Sequence, residues 1–167
     1  MSFSGSQRLF GALLLVLLLF VSACGSQPTR WDEAEKTQGP ATSAESVEGG
    51  SLNTFFPKDA AESEGFDFTF TQEKDGFAEA SLEQDGTEVA LLSISDTTNN
   101  PEAAEKFAES TREIGGYPAI DVDFETAVLV GDRFQVKAFS VEDSFTEADR
   151  DTWIEKFDLA GLEGLTE

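Results

Sequence analysis

Period-two alternation, interrupted by glycine turns, is the feature that most limits what this chain can fold into. Phe66, Phe68 and Phe70 alternate with Asp67, Thr69 and Thr71. Ala78, Ala80 and Leu82 alternate with Glu79, Ser81 and Glu83. Successive side chains on a strand point to opposite faces, so each run predicts a strand with one buried face. Asp75-Gly76 follows the first run and Asp85-Gly86 the second, and both are tight-turn dipeptides. Residues 89–94 are apolar on both faces, as a central strand requires. The three segments predict an antiparallel meander.

A second set of strands follows. Ile120, Val122 and Phe124 alternate with Asp121, Asp123 and Glu125, and residues 127–130 are continuously apolar. After a turn at Gly131-Asp132, Phe134, Val136 and Ala138 alternate with Arg133, Gln135 and Lys137. Between the two sets, Asn99-Asn100-Pro101 is a helix start: Asn caps and Pro fits the first turn. Ala103, Phe107, Ser110/Thr111 and Ile114 then recur at helical spacing, and Gly115-Gly116 stops the helix.

Thr146-Glu147-Ala148-Asp149 resembles a capping box and opens a helix to about Phe157, with Trp153 and Phe157 on one face. Leu159, Leu162 and Leu165 are expected to close against the sheet. Upstream, residues 51–56 predict one helical turn ended before Pro57, with Phe55 and Phe56 as core plugs, and residues 58–65 a polar connection. Each half reads strand, Gly turn, strand, loop, and helix ending in Lys-Phe (Lys106-Phe107 and Lys156-Phe157). The spacings differ by a few residues, so convergence of ordinary ββα units is the default reading and an internal duplication the alternative. The expected fold class is α+β: an antiparallel sheet of about five to six strands with two helices on one face.

The N-terminal stretch has a different character. Arg8 is followed by an apolar run over residues 9–21, and no acid precedes Cys24, the single cysteine. As a helix the run would span about 20 Å, short of the roughly 30 Å hydrocarbon core, so it reads as an export signal rather than a permanent span. Val21-Ser22-Ala23-Cys24 resembles the lipobox of bacterial lipoprotein precursors, with Val21 where Leu is most frequent. That resemblance implies a diacylglycerol on the Cys24 sulfur, cleavage before Cys24 and an acyl chain, such as palmitate, on the new amine. Gly25, in place of an inner-membrane-retaining Asp, leaves outer-membrane sorting open. Ordinary signal-peptidase cleavage with a free Cys24, or an uncleaved anchor, are the competing readings. The expected domains are residues 1–23 as signal peptide, 24–50 as lipidated cysteine and flexible tether rich in Ser, Thr, Gly and Pro, and 51–167 as one globular domain.

Charge and composition narrow the chemistry. There are 33 acidic and 11 basic residues, for a net charge of −22. Such a surface repels nucleic acid and anionic headgroups, so lipid chains would be the main source of membrane affinity. With no histidine, and no thiol once Cys24 is lipidated, Cys–His and Ser–His–Asp catalysis, ordinary zinc sites, Fe–S clusters and structural disulfides are excluded. No spacing selects a Ser–Lys dyad or a carboxylate pair, and no cofactor is expected.

The remaining candidates each have a bland reading. Asp121, Asp123 and Glu125 would stand about 7 Å apart on one strand face, a calcium row or simply a solvated face. The oxygens of residues 96–100 suit a helix cap better than a calcium loop, lacking the Gly and terminal Glu of that pattern. Trp31 and Tyr117 are partner-contact candidates; Trp31 otherwise folds back or is exposed, and Tyr117 otherwise marks re-entry into a strand. Arg112, Arg133, Lys137 and Arg150 are scarce cations in an acidic protein; Arg133 and Lys137 share one strand face and are expected to pair with carboxylates of a neighbouring strand, with a small anion site as the alternative.

Gln72-Glu73-Lys74-Asp75-Gly76-Phe77-Ala78-Glu79-Ala80, Ile114-Gly115-Gly116-Tyr117-Pro118-Ala119 and Trp153-Ile154-Glu155-Lys156-Phe157-Asp158-Leu159 resemble stretches of uncharacterised small cyanobacterial lipoproteins. That resemblance supplies no activity and no functional residues. By analogy, some lipoproteins of that lineage attach to photosynthetic membrane complexes. The expected function is a non-enzymatic, lipid-anchored interaction or accessory domain on a bacterial membrane, facing periplasm, lumen or exterior. Its partners would be the membrane, through the lipid, and a protein. A small-ligand or calcium-binding envelope lipoprotein is the alternative.

Overall fold

The structure is a computed structural model that describes residues 46–166. They lie in a unit of chain running from Pro40 to Glu167. The first strands are β1 (Asp67–Lys74), β2 (Phe77–Gln84) and β3 (Thr87–Asp96). The later ones are β4 (Arg112–Ile114), β5 (Tyr117–Val122), β6 (Glu125–Val130) and β7 (Phe134–Ser140). They form one seven-stranded sheet in the order β1-β2-β3-β7-β6-β5-β4, with every neighbouring pair antiparallel. β3 and β7 join the two meanders at the centre, with Leu92 opposite Ala138 and Ile94 opposite Val136. Five short helices complete the described fold: α1 (Gly49–Leu52), α2 (Lys58–Ser63), α3 (Glu102–Glu105), α4 (Glu147–Glu155) and α5 (Leu159–Glu163).

One face of the sheet carries the main core. Alternation selects Ala78, Ala80 and Leu82 on β2, Leu92 and Ile94 on β3, Val128 and Val130 on β6, and Phe134, Val136 and Ala138 on β7. Leu52, Ala61, Trp153, Ile154, Phe157, Leu159 and Leu162 cover them from α1, α2, α4 and α5 and the ends of those helices. Phe56 locks this layer: its ring meets Phe70 (5.2 Å) and Phe68 (6.1 Å) edge-on and lies tilted against Phe157 at 5.1 Å. Phe66 meets Trp153 edge-on at 5.1 Å.

The sheet is wider than expected, because two segments read otherwise are hairpins. Residues 120–124 are not one strand. β5 ends at Val122, Asp123 takes a left-handed φ of 52°, and β6 starts at Glu125, with Val122 opposite Glu125. The helix predicted from Pro101 to Ile114 stops after α3, and β4 pairs back on β5 with Ile114 opposite Tyr117. Phe107 and Ile114 cannot share one helical stripe because they serve opposite sides of the sheet. Phe107 packs on Ala127 and Leu129, with Ala104 and Ile120 beside it, whereas Ile114 enters the main core. Ser110 secures the crossover, its hydroxyl donating to the carbonyls of Ala119 (2.5 Å) and Arg112 (3.0 Å).

The second helix behaves as expected. Thr146 and Asp149 form a reciprocal capping box at the start of α4, and Trp153 and Phe157 are buried. The two halves repeat as strand meanders. However, Phe107 and α4 lie on opposite faces, which a two-fold axis normal to the sheet cannot produce, so the ββα likeness stops at the strands. Three smaller expectations are also corrected. Residues 58–63 are helical rather than a connection, Leu165 is exposed while Leu159 and Leu162 are buried, and ordered packing starts before Ser51, since Val47 packs against the core.

Candidate functional site

The two ends of the sheet are chemically different. At the first end, β3 finishes and β7 begins, and the chain enters from Ser46 and Val47. The Gly76 N–H donates to the Val47 carbonyl at 2.6 Å. Asp96, with its side chain fully buried, accepts from the Val47 N–H (3.1 Å), the Thr98 N–H (3.0 Å) and the Thr98 hydroxyl (2.6 Å). Arg133 completes the set, with Nε 3.1 Å from Asp96 Oδ1 and Nη2 2.8 Å from Oδ2. Burial alone would raise the Asp96 pKa. The bonds from Arg133, Thr98 and Val47 outweigh that and lower it to about 2. A carboxylate held ionised this firmly is a strut rather than a proton-transfer group.

At the second end, β5 turns into β6 and β7 ends. Here the expected row of carboxylates is taken apart. Asp121 stands opposite Thr126 on the main-core face, Asp123 sits in the turn, and Glu125 lies on the other face opposite Phe139. Asp121 pairs with Arg112 and accepts from the Thr126 hydroxyl at 2.5 Å, and Glu125 pairs with Lys137 at 2.9 Å. The calcium row assumed a single strand, and the hairpin removes it. Among the described residues no group of three or more His, Cys, Asp or Glu is placed to hold a metal.

The hydroxyl network continues beneath the sheet. Buried Arg150 of α4 donates from Nε to Thr126 (2.9 Å) and from Nη1 to Ser140 (2.8 Å), and Ser140 donates to the Phe145 carbonyl (2.6 Å). Arg112 also pairs with Asp151 and, at 3.5 Å, with Glu147. The network ties α4 to β4, β5, β6 and β7. The four cations flagged in the sequence are thus engaged: Arg112, Arg133 and Lys137 with carboxylates, Arg150 with hydroxyls.

Tyr117 is half-buried and donates to Glu163 at 3.0 Å, holding α5 against the β4–β5 hairpin. Desolvation, then this bond and the Glu163 charge, raise its pKa. Its contacts are those of a structural tie. Cys24 and Trp31 lie outside the described residues. Between residues 104–110 and β5–β6 lies a groove of about 470 Å³, lined by Ala104, Phe107, Pro118 and Leu129, with Glu105 and Asp132 at its margin. Ser110 also lines it, its hydroxyl engaged with the Ala119 and Arg112 carbonyls.

What sequence reasoning missed is an exposed apolar group at the second end. Val122 is 57% exposed, Phe124 54%, Phe139 40% and Val141 40%. Val122 and Phe124 were expected in the core, because alternation marks an apolar row without saying which face of the sheet it will occupy. The register puts Ala119, not Val122, on the covered side. The hydropathy of residues 120–124 carries no signal that separates the two outcomes. No helix among the described residues is long and apolar enough to cross a membrane. Comparison of the chain with protein-family models, curated proteins and solved structures finds no match.

Proposed function

We propose that this chain is a lipid-anchored, extracytoplasmic interaction domain without enzymatic activity, held on a bacterial membrane through Cys24 and bound to a protein partner. The supporting observation is the apolar group at the β5–β6 turn and the end of β7, on a chain whose net charge of −22 is otherwise suited to remain dissolved. The packing is consistent with a binding role. The buried carboxylate is committed to Arg133, Arg112 and Lys137 of the sheet are paired with carboxylates, and the core is closed by four helices. The lipid supplies the membrane affinity that this charge would oppose.

The test has two arms. Intact-mass analysis of the membrane-extracted protein should show a diacylglyceryl adduct at residue 24 that disappears in Cys24→Ala, together with the protein's membrane association. Affinity purification of the tagged full chain from detergent-solubilised membranes should retain one partner in near-stoichiometric amount. An unmodified mature chain in the soluble extracytoplasmic fraction would refute the anchor. Purification of the chain alone under mild detergent would refute the interaction role.

A further inference from the structure

We infer that the β5–β6 end of the sheet docks a protein partner whose contact face is apolar at its centre and rimmed by lysine or arginine. This deepens the interaction-domain reading above and rests on it.

The surface is built by register. Val122 stands opposite Glu125, Glu125 opposite Phe139, and Phe139 opposite Leu91, so the four lie in one row across β5, β6, β7 and β3 on the face away from the main core. With neighbouring strands about 4.8 Å apart, the row is roughly 14 Å long. Phe124 adjoins it, because its carbonyl accepts the Ser140 N–H at 2.8 Å. Val141 follows, held by its own N–H to the Val89 carbonyl at 2.9 Å. Backbone hydrogen bonds thus fix the positions from which these side chains reach solvent. Among the described residues one other large apolar side chain is comparably exposed, Leu165 at 39%, next in sequence to Thr166, which abuts Gly131 of the β6–β7 turn at the opposite end. Segregation of this kind marks a contact surface rather than the scattered exposure of ordinary proteins.

Charge selects the occupant. Asp123, Glu142 and Asp143 are exposed around the group, and Glu125 lies within the row. Lys137 is committed to Glu125, Lys106 also interacts with that carboxylate, and Arg150 is buried under the sheet, so the acidic margin is that of Asp123, Glu142 and Asp143. A second copy meeting the same patch across a two-fold axis would set these carboxylates against each other. An anionic membrane surface would be repelled for the same reason. A protein face with a cationic rim satisfies both the apolar centre and the acidic margin. The chain also enters at the far end of the sheet, where Val47 is held by Asp96 and Gly76. Strands of this length separate the two ends by roughly 20 Å, so the patch and Val47 lie at opposite ends of the sheet.

The test is site-specific photo-crosslinking of the full chain in intact cells, with the photoreactive residue replacing Phe124 and, as control, Leu165. Position 124 should give one major protein adduct whose cross-linked segment has apolar residues flanked by Lys or Arg, and position 165 should not. Asp123→Asn, Glu142→Gln and Asp143→Asn together should lower the adduct yield roughly fivefold. In isolated membranes the yield should fall as salt rises from about 50 to 500 mM. Adducts at position 124 to lipid, to a second copy or to an acidic segment overturn the inference, as does the absence of an adduct. A specific adduct with an unlipidated Cys24 would keep the docking surface and refute the anchor. A lipidated Cys24 and a co-purifying partner without an adduct at position 124 would do the reverse.

Discussion

Asp96 shows how one residue can hold a chain entry in place. Its carboxylate collects hydrogen bonds from Val47, Thr98 and Arg133, three segments far apart in sequence. Asp96→Ala should therefore cost about 2–4 kcal/mol in urea unfolding, since it strips the partners of a buried charge. Asp96→Asn should cost less, because it keeps the shape and some of the bonds. The pH dependence has a definite sign. The folded pKa of about 2 lies below the ordinary aspartate value of 3.8, so the stabilisation is complete above about pH 4 and is lost as pH falls toward 2. The depression corresponds to at most about 2 kcal/mol after allowance for solvent screening. The difference in stability between wild type and Asp96→Asn should narrow over that window. A difference that stays constant from pH 5 to 2 would show that charge contributes nothing. In the sequence Asp96 reads as a loop oxygen near a helix cap. The structure makes Asp96 the cap of the 97–99 turn, whereas the sequence puts the cap at Asn99 or Asn100; Arg133 lies 37 positions away and no local pattern announces it.

At the scale of elements, Gly115-Gly116 is the most informative dipeptide. The same residues end a helix or make a hairpin, and here they form the β4–β5 turn with φ of 61° and 88°. The two positions differ in their surroundings. A Cβ on Gly115 would lie 2.9 Å from Leu159 Cδ1, and one on Gly116 would meet nothing within 4 Å. Gly116→Ala should cost about 1 kcal/mol from backbone strain alone, and Gly115→Ala about 2–3 kcal/mol, because Leu159 must also move. Equal losses in thermal unfolding would mean that Leu159 yields freely. The start of α4 is a simpler case, legible in the sequence and present in the structure. Thr146→Ala removes one half of the capping box and should cost about 1 kcal/mol, read as a lower urea midpoint at unchanged slope.

For the molecule as a whole, self-repulsion opposes packing. With 33 acids and 11 bases, folding concentrates negative charge on a small surface. Salt should therefore stabilise this protein: raising NaCl from about 20 to 500 mM should add about 1 kcal/mol to the unfolding free energy. A loss of stability would show instead that attractive pairs such as Lys156–Glu64 and Arg112–Asp151 outweigh the repulsion. The same charge shapes association. On the docking surface inferred above, the exposed Asp123, Glu142 and Asp143 would repel a second copy and attract a cationic partner.

The sequence by itself determined where β1, β2, β3 and β7 run, where α4 starts, and that the core would be aromatic and free of disulfides. These follow from nearest-neighbour chemistry: period-two alternation, turn dipeptides, a capping box and residue counts. It also carries the whole case for lipidation at Cys24, which lies outside the described residues. Only the tertiary structure decided which face each strand would bury. A strand's alternation is symmetric until a partner fixes its register, and a slip of one residue exchanges the faces. That is why Val122 and Phe124 reach solvent, why Asp121 and Glu125 part company, and why Phe107 left the helix assigned to it. The ion pairs of Asp121 and Glu125, expected to stand in one carboxylate row, join residues on different strands and helices, and sheet pairing is what brought them together.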